Sequence, residues 1–245
     1  MELDGAAGAG LIVAAALLAS TAQTVTGFGL ALLLVPPATL VLRPADAVAV
    51  ALVLLIPSNA LLVLGEGRCL DRTAASRLLA GAAIGLPVGM LAIRAASPDA
   101  LRLALAVAVV MTVVIVVTGR PSLGRGTPTL LAAGVLTGAL TTSLTANGPP
   151  TVLALQGRGV SPPAFRATVG VVLGASAVVG VLLFALDGRL DGDVPRAVAL
   201  AVPAQLVGWR VGLLIRPRVP ANGFRLAVLA LLLVGAASTA LAALT

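Results

Sequence analysis

The chain has no histidine, no tyrosine and no lysine, and all 16 of its basic residues are arginine. Each absence removes a class of chemistry. Zinc and haem centres draw on His or several Cys, and a Ser/His hydrolase needs the imidazole, so none of these is built from this chain. A Walker A loop needs its lysine on the nucleotide phosphates, so the chain is not an ATPase by itself. The single cysteine, Cys69, cannot close an internal disulfide. Five aromatic side chains (Phe28, Phe165, Phe184, Trp209, Phe224) are too few for base stacking or an aromatic cation cage. Charge is scarce as well: 10% of residues are charged against 59% hydrophobic, far from the composition of a soluble domain.

What is present is a series of charge-free runs, several of them matching the roughly 20 apolar residues that cross a bilayer. Eight apolar segments stand near 8–42, 46–64, 75–93, 100–118, 128–156, 165–186, 195–215 and 224–244. The loops between them leave no room for a soluble catalytic domain. The pattern predicts an all-α polytopic integral membrane protein with about eight transmembrane segments. The N-terminus carries Glu2 and Asp4 where a secretory signal needs positive charge, so the first span is expected to stay in the protein. The first and fifth segments are unusual. Thr26-Gly27-Phe28-Gly29 and then Pro36 and Pro37 disfavour a continuous helix in the first, and Asn147-Gly148-Pro149-Pro150 does so in the fifth. Both are expected to be broken or re-entrant.

Sliding the chain on itself relates the two breaks. An offset of 119 brings Thr24 onto Ser143, Thr26 onto Thr145, Gly29 onto Gly148 and Pro44 onto Pro163; an offset of 123 brings Gly85 onto Gly208, Gly89 onto Gly212 and Arg102 onto Arg225. The chain therefore reads as two related halves, 1–119 and 126–245, each with about four segments, together forming one membrane domain. Paired interrupted segments in corresponding places point to a transporter.

The net charge of +7 does not indicate nucleic acid, because the arginines lie singly or in pairs at the ends of apolar runs, where membrane proteins anchor and orient themselves. If every segment crosses once, Arg43, Arg94, Arg158, Arg166, Arg210, Arg216 and Arg218 fall on one side, with Arg102 and Arg225, and the bias is weak. All nine acids lie near segment ends or in loops, so no mid-membrane proton relay is offered. Facilitated export, uniport, or protons carried by a weakly acidic substrate are the expected modes.

Broken helices expose backbone N–H groups and place a positive dipole end inside the membrane, which binds an anion without a buried full charge. Around the breaks lie Gln23, Thr24, Thr26, Ser143, Thr145 and Asn147, all able to donate hydrogen bonds. The plainer role for any one Thr or Ser is back-bonding to a carbonyl four residues earlier. The duplicated set, with its Gly and Asn, favours a substrate site.

These residues carry a resemblance. Thr26-Gly27-Phe28-Gly29 leading into Val35-Pro36, and Thr145-Ala146-Asn147-Gly148-Pro149-Pro150 followed by Pro163 and Phe165-Arg166-Ala167-Thr168, resemble the two repeats of the sulfite exporter TauE/SafE family of membrane permeases. The glycine pairs Gly85/Gly89 and Gly208/Gly212 fit the same pattern, and the likeness covers essentially the whole chain. It implies a secondary permease or exporter of small anions, often sulfite or organosulfonates, in a bacterial inner membrane, and it adds Gly27, Gly29, Gly148 and Pro149 to Asn147 as residues of the central site. The chain departs from the family in keeping only Gly27 and Gly29 around Phe28, where a longer glycine run is usual, which bears on pocket size.

Arg43, Arg166 and Arg210 are candidates for attracting an anion; Arg210 beside Trp209 also suits snorkelling to the interface. The stretch Asp187-Gly188-Arg189-Leu190-Asp191-Gly192-Asp193 lacks the spacing and Glu of an EF-hand and reads as a polar turn. Small-residue steps at Gly81/Gly85/Gly89, Gly134/Gly138, Gly170/Gly174 and Gly208/Gly212 let helices approach closely, within the protein first and in a homo-oligomer second. The sequence thus predicts a non-enzymatic transporter without cofactor or metal, whose partners are the lipid bilayer and a small anionic solute. Its alternative is a non-transporting membrane scaffold or assembly subunit.

Overall fold

Proline and glycine set where the helices start and stop. The computed structural model describes residues 5–97, 126–145, 147–156 and 160–218, with isolated positions between them, and within these every regular element is helical. Helix α1, Ala6–Thr26, ends because Gly27 turns left-handed (φ 91°). Gly29, also left-handed (φ 103°), opens α2, Leu30–Ala38. That conformation costs a residue with a Cβ about 1–2 kcal/mol, so glycine on both sides of Phe28 permits the turn. There follow α3 (Pro44–Glu66), α4 (Arg72–Ala95), α5 (Thr127–Ser143), α6 (Gly148–Gln156), α7 (Pro162–Leu186) and α8 (Val194–Ile215). Proline stands in the first turn of α3, α5, α7 and α8, where its missing N–H is not needed and its fixed φ suits the helix. Asp71 and Ser161 cap α4 and α7 by accepting from the Ala74 and Ala164 amides.

Pro36 and Pro37 do not interrupt the chain as expected: both lie inside α2. The helix closes at Ala38, one residue beyond them, so they disturb only its last turn. The interruption belongs to Gly27 and Gly29.

Five helices among the described residues are long and apolar enough to cross a membrane: Ala6–Thr26, Pro44–Cys69, Arg72–Ala95, Pro163–Leu186 and Val194–Arg218. The fifth predicted segment is divided between α5 and the nine-residue α6. The fourth segment, 100–118, lies almost wholly outside the described residues, and the eighth, 224–244, wholly so, as do Arg102, Ala146 and Arg225. Leu64, Ile84, Leu91, Leu182, Leu186 and Leu214 face outward and are exposed, as suits a lipid-facing surface.

Close contacts fix the helix directions. On α8, Gly208 meets Leu17 and Ser20 of α1 and Gly212 meets Thr21 and Thr24, so these helices run parallel. On α4, Gly81, Gly85 and Gly89 meet the carbonyls of Leu131, Val135 and Ala139 on α5, again in parallel. Helix α3 runs with α8, pairing Ser58 with Gln205 and Glu66 with Arg216, and against α7, placing Leu52 at Gly180 and Asn59 at Gly174. Helices α1, α3 and α8 therefore point one way, and α4, α5 and α7 the other. Helix α2 leads from the end of α1 back towards the start of α3, and α6 leads from the end of α5 back towards the start of α7.

These directions correct the arginine grouping that single crossings give. Arg43 and Arg94 lie at one end of the bundle with Arg189 and Arg196, accompanied by Asp46, Asp187, Asp191 and Asp193. Arg68, Arg72, Arg77, Arg158, Arg166, Arg210, Arg216 and Arg218 gather at the other, accompanied by Glu66 and Asp71. The first end is balanced in charge among the described residues; the second is strongly basic.

Candidate functional site

At the first break the polar side chains hold the turn. Gln23 is buried; its Oε1 accepts from the Leu30 amide (3.1 Å), tying down the start of α2, and its Nε2 donates to Asn59 Oδ1 (3.3 Å) on α3. Asn59 Nδ2 in turn donates to the Leu55 carbonyl. Thr26 Oγ1 lies 2.8 Å from the Ala22 carbonyl and 2.7 Å from that of Phe28, and accepts from the Phe28 amide. Thr24 donates to the Ser20 carbonyl. Both threonines thus bond to backbone, the plainer of the two roles read from the sequence.

The second break is different. Ser143 back-bonds to the Ala139 carbonyl, and Asn147 Nδ2 donates to Thr141 Oγ1 at 3.1 Å. Thr137 and Thr151 share a hydrogen bond of 2.8 Å that joins α5 to α6, while Thr142 donates to the Leu86 carbonyl on α4. Thr145 is fully buried, its backbone is left-handed (φ 55°), and its hydroxyl has no partner. Among the described residues it is the one non-glycine with positive φ. A strained backbone costs of order 1–3 kcal/mol, and an unmet buried hydroxyl adds to that. Among the described residues two other buried polar atoms lack partners, Gln205 Oε1 and Ser176 Oγ, the latter beside an apolar cavity of about 210 Å³ between α4 and α7.

The two breaks touch. A Cβ at Gly148 would stand 3.1 Å from the Phe28 ring, and one at Gly27 would stand 2.8 Å from Cγ of Arg166, so the side chain of Arg166 packs across the first break. Its guanidinium is engaged by Glu66, with Nε and Nη2 donating at 2.7 and 2.8 Å, and Arg216 donates to the same carboxylate. Arg43 pairs with Asp46 at 2.7 Å at the opposite end and is largely exposed. Arg210 is exposed and stacks over Trp209, 5.3 Å from the ring centre. Of the three arginines read from the sequence, the structure brings Arg166 alone against a break.

Chemically, Gly148 and Thr151 are the residues of the first turn of α6 that carry an N–H, because Pro149 and Pro150 have none. The Thr145 hydroxyl and the helix N-terminus are donors suited to an anion. Among the described residues no group of three or more His, Cys, Asp or Glu gathers as a metal site. Sequence reasoning missed Thr137, Thr141 and Thr151, although threonines at helical spacing in an apolar run were a usable signal. It also missed Asn59 and Gln205, which gain meaning only from their partners on other helices.

No curated protein and no solved structure matches the chain. The family model described as sulfite exporter TauE/SafE matches residues 12–239, nearly the whole length, in agreement with the motifs around both breaks. The chain therefore belongs to the sulfite exporter TauE/SafE family and is a membrane transporter.

Proposed function

We propose that the chain is a secondary permease that exports a small sulfur oxyanion, sulfite or an organosulfonate, through a site where the two interrupted segments meet. The observation that carries this reading is the contact between Phe28 and Gly148 beside the strained, unpartnered Thr145. Substrate would be held by the Thr145 hydroxyl, Asn147 and the backbone at Gly148 and Pro149 on one side, and by the turn at Thr26, Gly27 and Gly29 on the other. Thr24 and Ser143 support these turns from one helical turn back. The arrangement suits a monoanion or dianion, because donors and a helix N-terminus face it without a fully buried cation.

In this reading the halves 1–119 and 126–245 are inverted repeats, and segments one and five enter the membrane and return to their own side. In support, the bounds of α2, α3 and α4 fall within about three residues of those of α6, α7 and α8 under the offsets of the sequence repeat, and the first helix of each half runs parallel to the α4 or α8 of the other. The basic end would face the cytoplasm by the positive-inside rule, in a bacterial inner membrane.

The test is flux of labelled sulfite into proteoliposomes, with Asn147→Leu alongside. Saturable flux lost in a folded variant supports the site; sulfite and sulfonate flux that survives the substitution unchanged removes it.

A further inference from the structure

Both ends of the bundle carry a similar construction, one carboxylate clasped by two arginines, at least one of which comes from another helix. At the basic end Glu66, the last residue of α3, accepts from Arg166 near the start of α7 and from Arg216 just beyond α8. At the other end Asp187, just beyond α7, accepts from Arg94 in the last turn of α4 and from Arg189. Each cluster ties a helix of one predicted half to a helix of the other. Each also keeps one positive charge that its carboxylate does not neutralise.

The basic-end cluster has three further properties. It is partly enclosed, with the side chains of Glu66 and Arg166 15% and 14% exposed and that of Arg216 29%. It borders a cavity of about 380 Å³ lined by Thr24, Gly65, Glu66, Trp209 and Arg216. It is joined to the first break, because the stem of Arg166 lies on Gly27. Arginine forks match the oxygens of carboxylates and other oxyanions through paired, charge-assisted N–H bonds. A carboxylate fixed on the same chain competes for such a fork at high effective concentration.

We propose that Arg166 and Arg216 form an oxyanion-binding site at this mouth, and that Glu66 occupies it as a tethered competitor until a sulfur oxyanion displaces it. The inference rests on the reading that the protein carries such anions. Displacement would cut the tie from α3 to α7 and α8 and admit the anion beside Gly27, so arrival of substrate and opening of the mouth become one event.

Trp209, the sole tryptophan, lines this cavity and reports on it directly. Its fluorescence is followed in the full chain in nanodiscs during titration with methanesulfonate, and sulfite flux is measured separately in proteoliposomes. Removing the competitor with Glu66→Gln is expected to lower half-saturation about tenfold, and Arg216→Gln to raise it by about as much. Glu66→Asp, which keeps the charge but shortens its reach, is expected between wild type and Glu66→Gln, and it decides the question if Glu66→Gln does not fold. Unchanged or weaker binding in folded Glu66→Gln, or in Glu66→Asp, overturns the proposal even where wild-type flux is normal. Tighter binding in these variants from a wild type that moves no anion would uphold the site and remove the transport reading.

Discussion

The ring of Phe28, at the tip between α1 and α2, lies against Gly148, the first residue of α6, so closely that a Cβ there would stand 3.1 Å from it. The two interrupted segments therefore touch through one aromatic ring and one missing Cβ. Gly148→Val is expected to push the ring away, costing about 1–3 kcal/mol as overpacking does, and to reduce sulfite flux more than tenfold. The double variant Phe28→Ala/Gly148→Val should regain part of both. Thermal unfolding and flux on the four proteins of this cycle check it, and an additive result would show that the contact is incidental.

Thr145 separates strain from chemistry. Thr145→Gly removes the cost of the left-handed backbone together with the unpartnered hydroxyl, so the protein is expected to fold at least as well while half-saturation for sulfite rises about tenfold. Thr145→Ser keeps the hydroxyl and should hold near-normal affinity. Equal flux in all three proteins would remove the hydroxyl from the site.

How much of this was legible in the sequence depended on whether a signal was local. Gly27, Gly29 and Gly148 marked the breaks because glycine is needed where φ is positive or a neighbour comes close, and the glycine steps on α4, α5 and α8 marked the helix contacts that form. Helix direction was not local. Nothing near Thr26 says whether the chain continues or returns; that emerges from Ser20 meeting Gln205, 185 positions away. For the same reason Arg166 read as a candidate for attracting an anion with no sign of its ion pair, its partner Glu66 lying 100 residues earlier. Pro36 and Pro37 misled because a proline weakens only the turn before it, and here that leaves the start of α2 intact and lets the helix close one residue beyond them.

The α4/α5 pairing offers a stability test independent of transport. The carbonyl of Val135 occupies the place a Cβ on Gly85 would take, so Gly85→Ala must separate two backbones. A loss above about 3 kcal/mol is expected, at the upper end for a single substitution. Gly10→Ala, with open space around it, should change unfolding by less than about 1 kcal/mol in the stabilising direction. Unfolding in mixed micelles measures both, and similar values for the two would contradict the packing.

The Asp187 cluster makes a prediction about pH. Hydrogen bonds from Arg94 and Arg189 hold the Asp187 carboxyl below the usual carboxylate range. A depressed carboxylate contributes stability above its unfolded value, near 4, and loses it as pH falls through the lower folded value. Asp187→Asn is therefore expected to unfold at a lower temperature than wild type at neutral pH, by a modest margin because the cluster is solvent-screened. The difference should shrink only in strongly acidic buffer, below the ordinary carboxylate range, and raised salt at neutral pH should shrink it too. A gap that persists unchanged in strong acid would mean that Asp187 contributes through packing and not through its charge.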